Sequence, residues 1–277
     1  MTNEPLLKNH WLVPLILVLA SYPVWLVLTT SPILLAVPAI LAAFWILTRN
    51  RQYFLAGLLT GLCLFQIEYL PFLAISGLIL GRLRYLAGIS SALIALFSAA
   101  QFIPDLKNAL SIPALLSAPA VSMAPAPNLM QNFSGLLLLL LGEGSPHSQM
   151  ASLTLYIVII VAVTELWWRM HNFPLSQNKF LKKSSITILM MLIASPHTYI
   201  QNYVAVIPVA IWLWQATAND TRNNAKTIRI TIAAFPILSW VFFAAQSVFL
   251  FLRLPPFFLW ATALAVLTLP TLDDEKI

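Results

Sequence analysis

Charged positions punctuate this chain at long intervals and do not alternate with apolar ones. No Asp, Glu, Lys or Arg occurs in 9–48, 85–104, 108–142, 184–219, 230–252 or 254–272. About 20 consecutive apolar residues suffice for a helix to cross the hydrocarbon core of a bilayer. Leu-, Ala- and Ile-rich runs of this length predict an all-α, polytopic helical membrane protein; the short alternating segments of a membrane β-barrel are absent. The forty-residue run 9–48 breaks at Thr29-Thr30-Ser31-Pro32, which predicts spans near 11–29 and 33–48.

The segment 54–84, FLAGLLTGLCLFQIEYLPFLAISGLILGRLR, poses the first topological choice, because Glu68 lies near its middle. A straight helix over 52–81 would be ~45 Å long, too long for the hydrocarbon core without strong tilt. A reversal at Gln66-Ile67-Glu68-Tyr69, with Pro71 opening the return arm, gives a short hairpin over 54–80 with arms of roughly 21 Å. Later spans then fall near 85–103, 150–168, 185–198, 200–216, 229–251 and 255–270. Basic residues favour the hairpin: it puts 13 of the 15 Lys and Arg on one side, leaving Lys107 and Arg253 on the other, whereas the straight helix gives 5 against 10. Cytoplasmic loops carry the excess of Lys and Arg. The expectation is about ten spans in a single transmembrane domain over 1–277, in the cell membrane with both termini cytoplasmic.

That topology collects Glu68, Asp105, Lys107, Glu143, His147, His197, Gln201, Asn202 and Arg253 on the outer face. The longest outer segment, 104–149, is Pro- and Ala-rich and reads as an extracytoplasmic loop with one short interfacial helix near 133–141. The turn SPHTYIQNY, 195–203, is unusually rich in hydrogen-bonding groups for a connector. Each of these residues also has a plainer reading: Glu68 as a solvated tip carboxylate, His197 as a helix-end hydrogen-bonder. Trp11, Trp45, Trp167 and Trp168 read as interfacial anchors.

Composition narrows the classes further. The chain is 60% hydrophobic and 9% charged, with a net charge of +6. Its basic residues lie in short loops without aromatic interleaving, so nucleic-acid binding is not expected. The single cysteine, Cys63, allows neither an intramolecular disulfide nor a cysteine-based metal site. No metal-ligand spacing and no Walker or Rossmann motif occurs, and no cofactor is expected. Asn132-Phe133-Ser134 matches the N-glycosylation sequon. Nineteen prolines, many inside apolar runs, predict broken or short helices around an interior.

Four stretches, taken in order, carry a resemblance. They are SYPVWLVLTTSPILLAVPAILAAFWIL, RQYFLAGLLTGLCLFQIEYLPFLAISGLILGRLRYLAGI, PNLMQNFSGLLLLLLG and SPHTYIQNYVAVIPVAIWLW. Their succession resembles the C-terminal two-thirds of the family 87 glycosyltransferases, polytopic GT-C enzymes that use polyprenyl-phosphate sugars, typically mannose. The resemblance implies transfer of a sugar from that donor to an acceptor on the outer face, with membrane lipids as the surrounding partners. With the outer-face inventory, it makes Glu68, Glu143 and Asp105 the candidate catalytic carboxylates. Lys107 and Arg253 become candidate phosphate partners, and Gln131, Asn132, His197, Tyr199 and Asn202 candidate substrate contacts.

The chain also departs from that family. The outer loop that carries the family's catalytic acid is reduced to Thr29-Thr30-Ser31-Pro32. A Lys-Pro-Gln tip has become Gln66-Ile67-Glu68, and acidic positions after the Ser-Pro turn appear as Ile200 and Asn202. Three origins fit these departures: a fragment, the product of a split gene, or a degenerate relative. A partner chain would then supply the missing N-terminal helices. The alternative function is a non-catalytic accessory or lipid-binding protein that kept the scaffold.

Overall fold

The computed structural model describes residues 12–30, 32–62, 69–102, 130–141, 146–169, 176–195, 198–218, 220–252 and 255–272. Among them the regular structure is entirely helical, with no strand. Twelve α-helices follow one another: α1 (Leu12–Leu19), α2 (Tyr22–Thr30), α3 (Ala36–Arg49), α4 (Tyr53–Leu62), α5 (Leu70–Ala100), α6 (Phe133–Leu141), α7 (Pro146–Trp168), α8 (Gln177–Ala194), α9 (Val206–Thr217), α10 (Asn223–Ala244), α11 (Gln246–Phe251) and α12 (Pro256–Thr268). Short 3-10 turns cover Pro32–Leu35, Ile200–Ala205 and Leu269–Leu272. Helix α6 coincides with the short helix expected near 133–141.

By length and composition alone, three described helices could cross a membrane: Met150–Trp168, Asn223–Ala244 and Leu70–Ala100, the last of which is broken at Arg82. Helices α1 and α2, bent by 59° at their break, make a fourth if taken as one span. The count of about ten spans is therefore not met. The charge-free runs are divided by turns and prolines into helices of 14 residues in α3, 10 in α4, 12 in α9 and 13 in α12. A 13-residue helix is only ~20 Å long. Helix α8 has 18 residues but begins with Lys179, Lys182 and Lys183 in its first two turns.

Helix α5 is itself folded. Arg82, at φ 48° and ψ −131°, interrupts it. The Tyr85 hydroxyl donates to the Leu73 carbonyl at 3.0 Å and lies 2.7 Å from Thr60 Oγ1. Residues twelve apart in a straight helix would be ~18 Å apart, so the limbs 70–81 and 83–100 double back on each other. The first limb also runs antiparallel to α4, since Tyr53 abuts Gly81 while Thr60 meets Leu73 through Tyr85. The second limb runs parallel to α4, pairing Gly57 with Tyr85 and Gly88, and Gly61 with Ala92. A reversal within 54–80 is thus present, although its tip, 63–68, lies outside the described residues.

The backbones of α4 and the second limb of α5 touch. A Cβ on Gly88 would sit 2.1 Å from the Phe54 carbonyl oxygen, and one on Gly57 2.2 Å from that of Tyr85. Only glycine permits that approach.

Aromatic side chains fill the interior at the other helix crossings. Trp45 and Trp167 stack with ring centroids 5.0 Å apart and planes 15° from parallel, and Phe180 closes edge-on against both. Trp45 is 1% exposed and Trp167 0%. Neither is the interfacial anchor expected of it: α3, α7 and α8 converge there, and both rings fill the crossing. The Trp167 indole nitrogen donates to Thr187 Oγ1 at 3.0 Å. Trp168 faces outward, and Trp11 lies outside the described residues.

Candidate functional site

The helices bring polar groups together at both ends of the bundle, and the two ends differ in kind. At one end, Arg49 Nη2 donates to Gln177 Oε1 at 2.9 Å, tying the end of α3 to the start of α8. Lys182 Nζ donates to the Thr271 carbonyl at 3.1 Å, tying α8 to the turn after α12. Lys183 Nζ donates to the Leu166 carbonyl at 2.7 Å and lies 6.0 Å from the Trp167 ring centroid, on α7. Arg222 caps this end between α9 and α10, with Nη2 2.6 Å from Asp220 Oδ2. That bond, with the nearby Arg222 and Lys182 charges, holds the Asp220 carboxyl at about 2, below its ordinary 3.8. Every Lys and Arg among the described residues sits toward this end.

The opposite end holds a neutral polar layer made from distant segments. The Gln131 amide N–H donates to the Thr198 carbonyl at 2.8 Å, and the Tyr203 hydroxyl donates to the Gln131 carbonyl at 2.7 Å. Gln131 Oε1 accepts the Phe257 N–H at 3.3 Å, serving the first turn of α12, where the proline at 255 supplies no side-chain cap. Asn132 caps α6: its Oδ1 accepts from the Gly135 N–H at 2.7 Å, an N-cap arrangement that satisfies an orphan donor. Its Nδ2 donates to the Ser195 carbonyl. Gly135 leaves room for this return, because a Cβ there would lie 2.1 Å from the Met130 carbonyl oxygen.

Asn202 completes the layer. Its Oδ1 accepts the Tyr199 N–H at 3.1 Å, which shapes the 3-10 turn, and its Nδ2 donates to the Tyr69 hydroxyl at 3.0 Å. Gln131, Asn132, Tyr69 and Tyr199 are all buried. The Ser195 and Thr198 hydroxyls are buried beside them with no hydrogen-bond partner among the described residues.

Four of the ten candidate residues are therefore placed: Gln131, Asn132, Tyr199 and Asn202 meet in one layer. The bonds that place Gln131, Asn132 and Asn202 tie protein to protein. Glu68, Asp105, Lys107, Glu143, His197 and Arg253 lie outside the described residues. In the sequence, Glu68 directly precedes Tyr69, and His197 stands between Ser195 and Thr198. Tyr69, Tyr203, Ser195 and Thr198 belong to the layer without having been singled out by the sequence. The signal for three of them was the density of polar groups in SPHTYIQNY; for Tyr69 it was its place in the QIEY tip.

No group of three or more His, Cys, Asp and Glu side chains among the described residues is arranged to hold a metal ion. Comparison with protein-family models, curated proteins and solved structures finds no match to this chain.

Proposed function

We propose that this chain is a multi-pass membrane protein built on a glycosyltransferase scaffold, and that it handles a polyprenyl-phosphate sugar at the end carrying the polar layer. One observation supports this reading above the others. Three of the four stretches that resemble family 87 enzymes meet at that layer, through Tyr69, Gln131–Asn132 and the 195–203 turn. They lie far apart in sequence, and two of the candidate chemical groups, Glu68 and His197, are sequence neighbours of layer residues.

In this reading Glu68 is the general base. It takes the proton of the acceptor hydroxyl as that oxygen attacks the anomeric carbon, and the bond to the lipid phosphate breaks. Glu143 and Asp105 are the further candidate carboxylates. Lys107 and Arg253 balance the charge on the departing polyprenyl phosphate. The polar layer ties Tyr69, the sequence neighbour of Glu68, to the 198–203 turn, which serves the positioning of a base against a donor.

The test is transfer from labelled polyprenyl-phosphate mannose in membranes containing the chain, with Glu68→Gln beside it. Transfer by the wild type that is lost in the variant supports the proposal. Equal transfer by both removes Glu68 from the chemistry. No transfer by an inserted, folded wild type favours a second reading, an accessory or lipid-binding protein that retains the scaffold. One observation favours that alternative: the amide groups of Gln131, Asn132 and Asn202 serve the protein's own backbone and Tyr69.

A further inference from the structure

Two arginines adopt a backbone conformation that costs any residue with a side chain. Arg51 has φ 59° and Arg82 φ 48°. They are the non-glycine residues with positive φ among those described, and neither is Asn or Asp, the types that tolerate that region best. A turn needing only this geometry is made at lower cost by glycine, and Gly81 stands one position from Arg82. Strained conformations of this kind cluster at functional sites.

The two turns are neighbours. Arg51 joins α3 to α4, Arg82 joins the limbs of α5, and the Tyr53 side chain fills the space beside Gly81. Arg49 and Arg84 flank them, and all four arginines are exposed. None is ion-paired among the described residues: Glu165 is engaged by Arg169, and Asp220 by Arg222. Among the described residues, Arg49 donates to the neutral Gln177 amide oxygen.

Apolar side chains are exposed beside these arginines, together with the polar Asn50 and Gln52. Leu83, between Arg82 and Arg84, is 80% exposed, and Phe54 and Leu55, just past Arg51, are also exposed. Four cations beside bare apolar side chains match a ligand that is anionic at one end and hydrocarbon at the other. A free anion would leave Leu83 and Phe54 uncovered, and an acidic peptide offers no match to them.

We propose that the paired turns at Arg51 and Arg82 bind the headgroup phosphate of an anionic phospholipid, with its acyl chains against Leu83 and Phe54. Basic clusters next to membrane helices attract anionic headgroups, each cation adding favourable energy near the surface. The proposal rests on the multi-pass reading above and does not depend on any sugar transfer.

The test uses the full chain purified in mild detergent. Native mass spectrometry measures retention of phosphatidylglycerol against phosphatidylcholine of matched chains, for the wild type and for Arg51→Gly/Arg82→Gly. Glycine suits both backbone positions, so this variant is expected to fold with a melting temperature equal to or above that of the wild type. The wild type is expected to prefer phosphatidylglycerol by roughly thirtyfold, the order that two cations near an anionic surface supply. The double variant, which keeps Arg49 and Arg84, is expected to lose most of that preference. An unchanged preference in a folded double variant overturns the proposal. So does displacement of the lipid by inorganic phosphate at equal concentration, which would identify a free-anion site. Alkaline carbonate extraction separates the premises: a chain released into the soluble fraction overturns the multi-pass reading and this proposal together. A membrane-retained chain without lipid preference overturns this one alone.

Discussion

The Asn202 side-chain amide donates to the Tyr69 hydroxyl at 3.0 Å across 133 positions of sequence. It ties the return limb of a helical hairpin to the turn between α8 and α9. Tyr69→Phe removes the acceptor and leaves the amide without that partner. A net loss of about 1–2 kcal/mol is expected, as for a hydrogen bond lost from a mostly enclosed site. Thermal unfolding in detergent measures it. Adding Asn202→Ala to Tyr69→Phe should cost less than the sum of the two single changes, because both remove the same bond. Strict additivity would show that the contact contributes nothing.

Asn132 has two tasks on one side chain. Its oxygen caps α6 through the Gly135 N–H, and its nitrogen holds the Ser195 carbonyl at the end of α8. Asn132→Ala loses the cap, about 1 kcal/mol, and leaves a buried carbonyl unpaired, about 1–3 kcal/mol more. The variant should therefore be among the less stable single-site changes in the layer, and limited proteolysis should cut near α6 at lower temperature than in the wild type. Wild-type resistance would mean that the cap and the clip are both dispensable.

Glycine-to-alanine changes at the α4–α5 contact should have the sign opposite to helix propensity. Alanine in place of a helical glycine ordinarily gains roughly 1 kcal/mol. At Gly88 the new methyl would meet the Phe54 carbonyl oxygen at 2.1 Å, and at Gly57 the Tyr85 carbonyl oxygen at 2.2 Å. Backbone atoms cannot swing aside, so the helices must separate. A loss of about 1–3 kcal/mol is expected for Gly88→Ala, in the range of overpacked cores. A gain in melting temperature would contradict the direct backbone contact.

Much of this architecture was legible because charge is so sparse. The arginines at 49, 51, 82 and 84 argued for a reversal near Glu68, and the antiparallel run of α4 against residues 70–81 is that reversal's observable part. The number of long helices was not legible. Hydropathy records where a run can be buried in hydrocarbon, but it does not record where backbone geometry breaks the run. The bend between α1 and α2 follows no charge, and Arg82 interrupts a helix from inside it. The tryptophans mislead for a related reason: a ring near a span end looks the same in sequence whether it faces headgroups or, like Trp45 on Trp167, another helix. In the polar layer, the residue types in SPHTYIQNY announced hydrogen bonding. Their partners at Gln131 and Tyr69 follow from packing, which one sequence does not display.

The last expectation concerns acid. Asp220 lies in the connection between α9 and α10, outside the helices long and apolar enough to cross a membrane. Its carboxylate accepts from Arg222 Nε at 2.9 Å and Nη2 at 2.6 Å. Those bonds first, and the charges of Arg222 and Lys182 after them, bring its carboxyl from 3.8 down to about 2. The folded state therefore refuses a proton that the unfolded chain accepts. The resulting stability is fully present above pH ~4 and is lost as the pH falls through ~2. Asp220→Asn has no such proton to refuse, so its melting temperature should fall less steeply across that window than that of the wild type. The difference in slope between the two proteins is the informative quantity. Arg222→Gln should flatten the slope by a similar amount, and the double variant should add little to either. Parallel slopes for wild type and Asp220→Asn would show that Arg222 holds Asp220 no more tightly in the folded protein than in the unfolded chain.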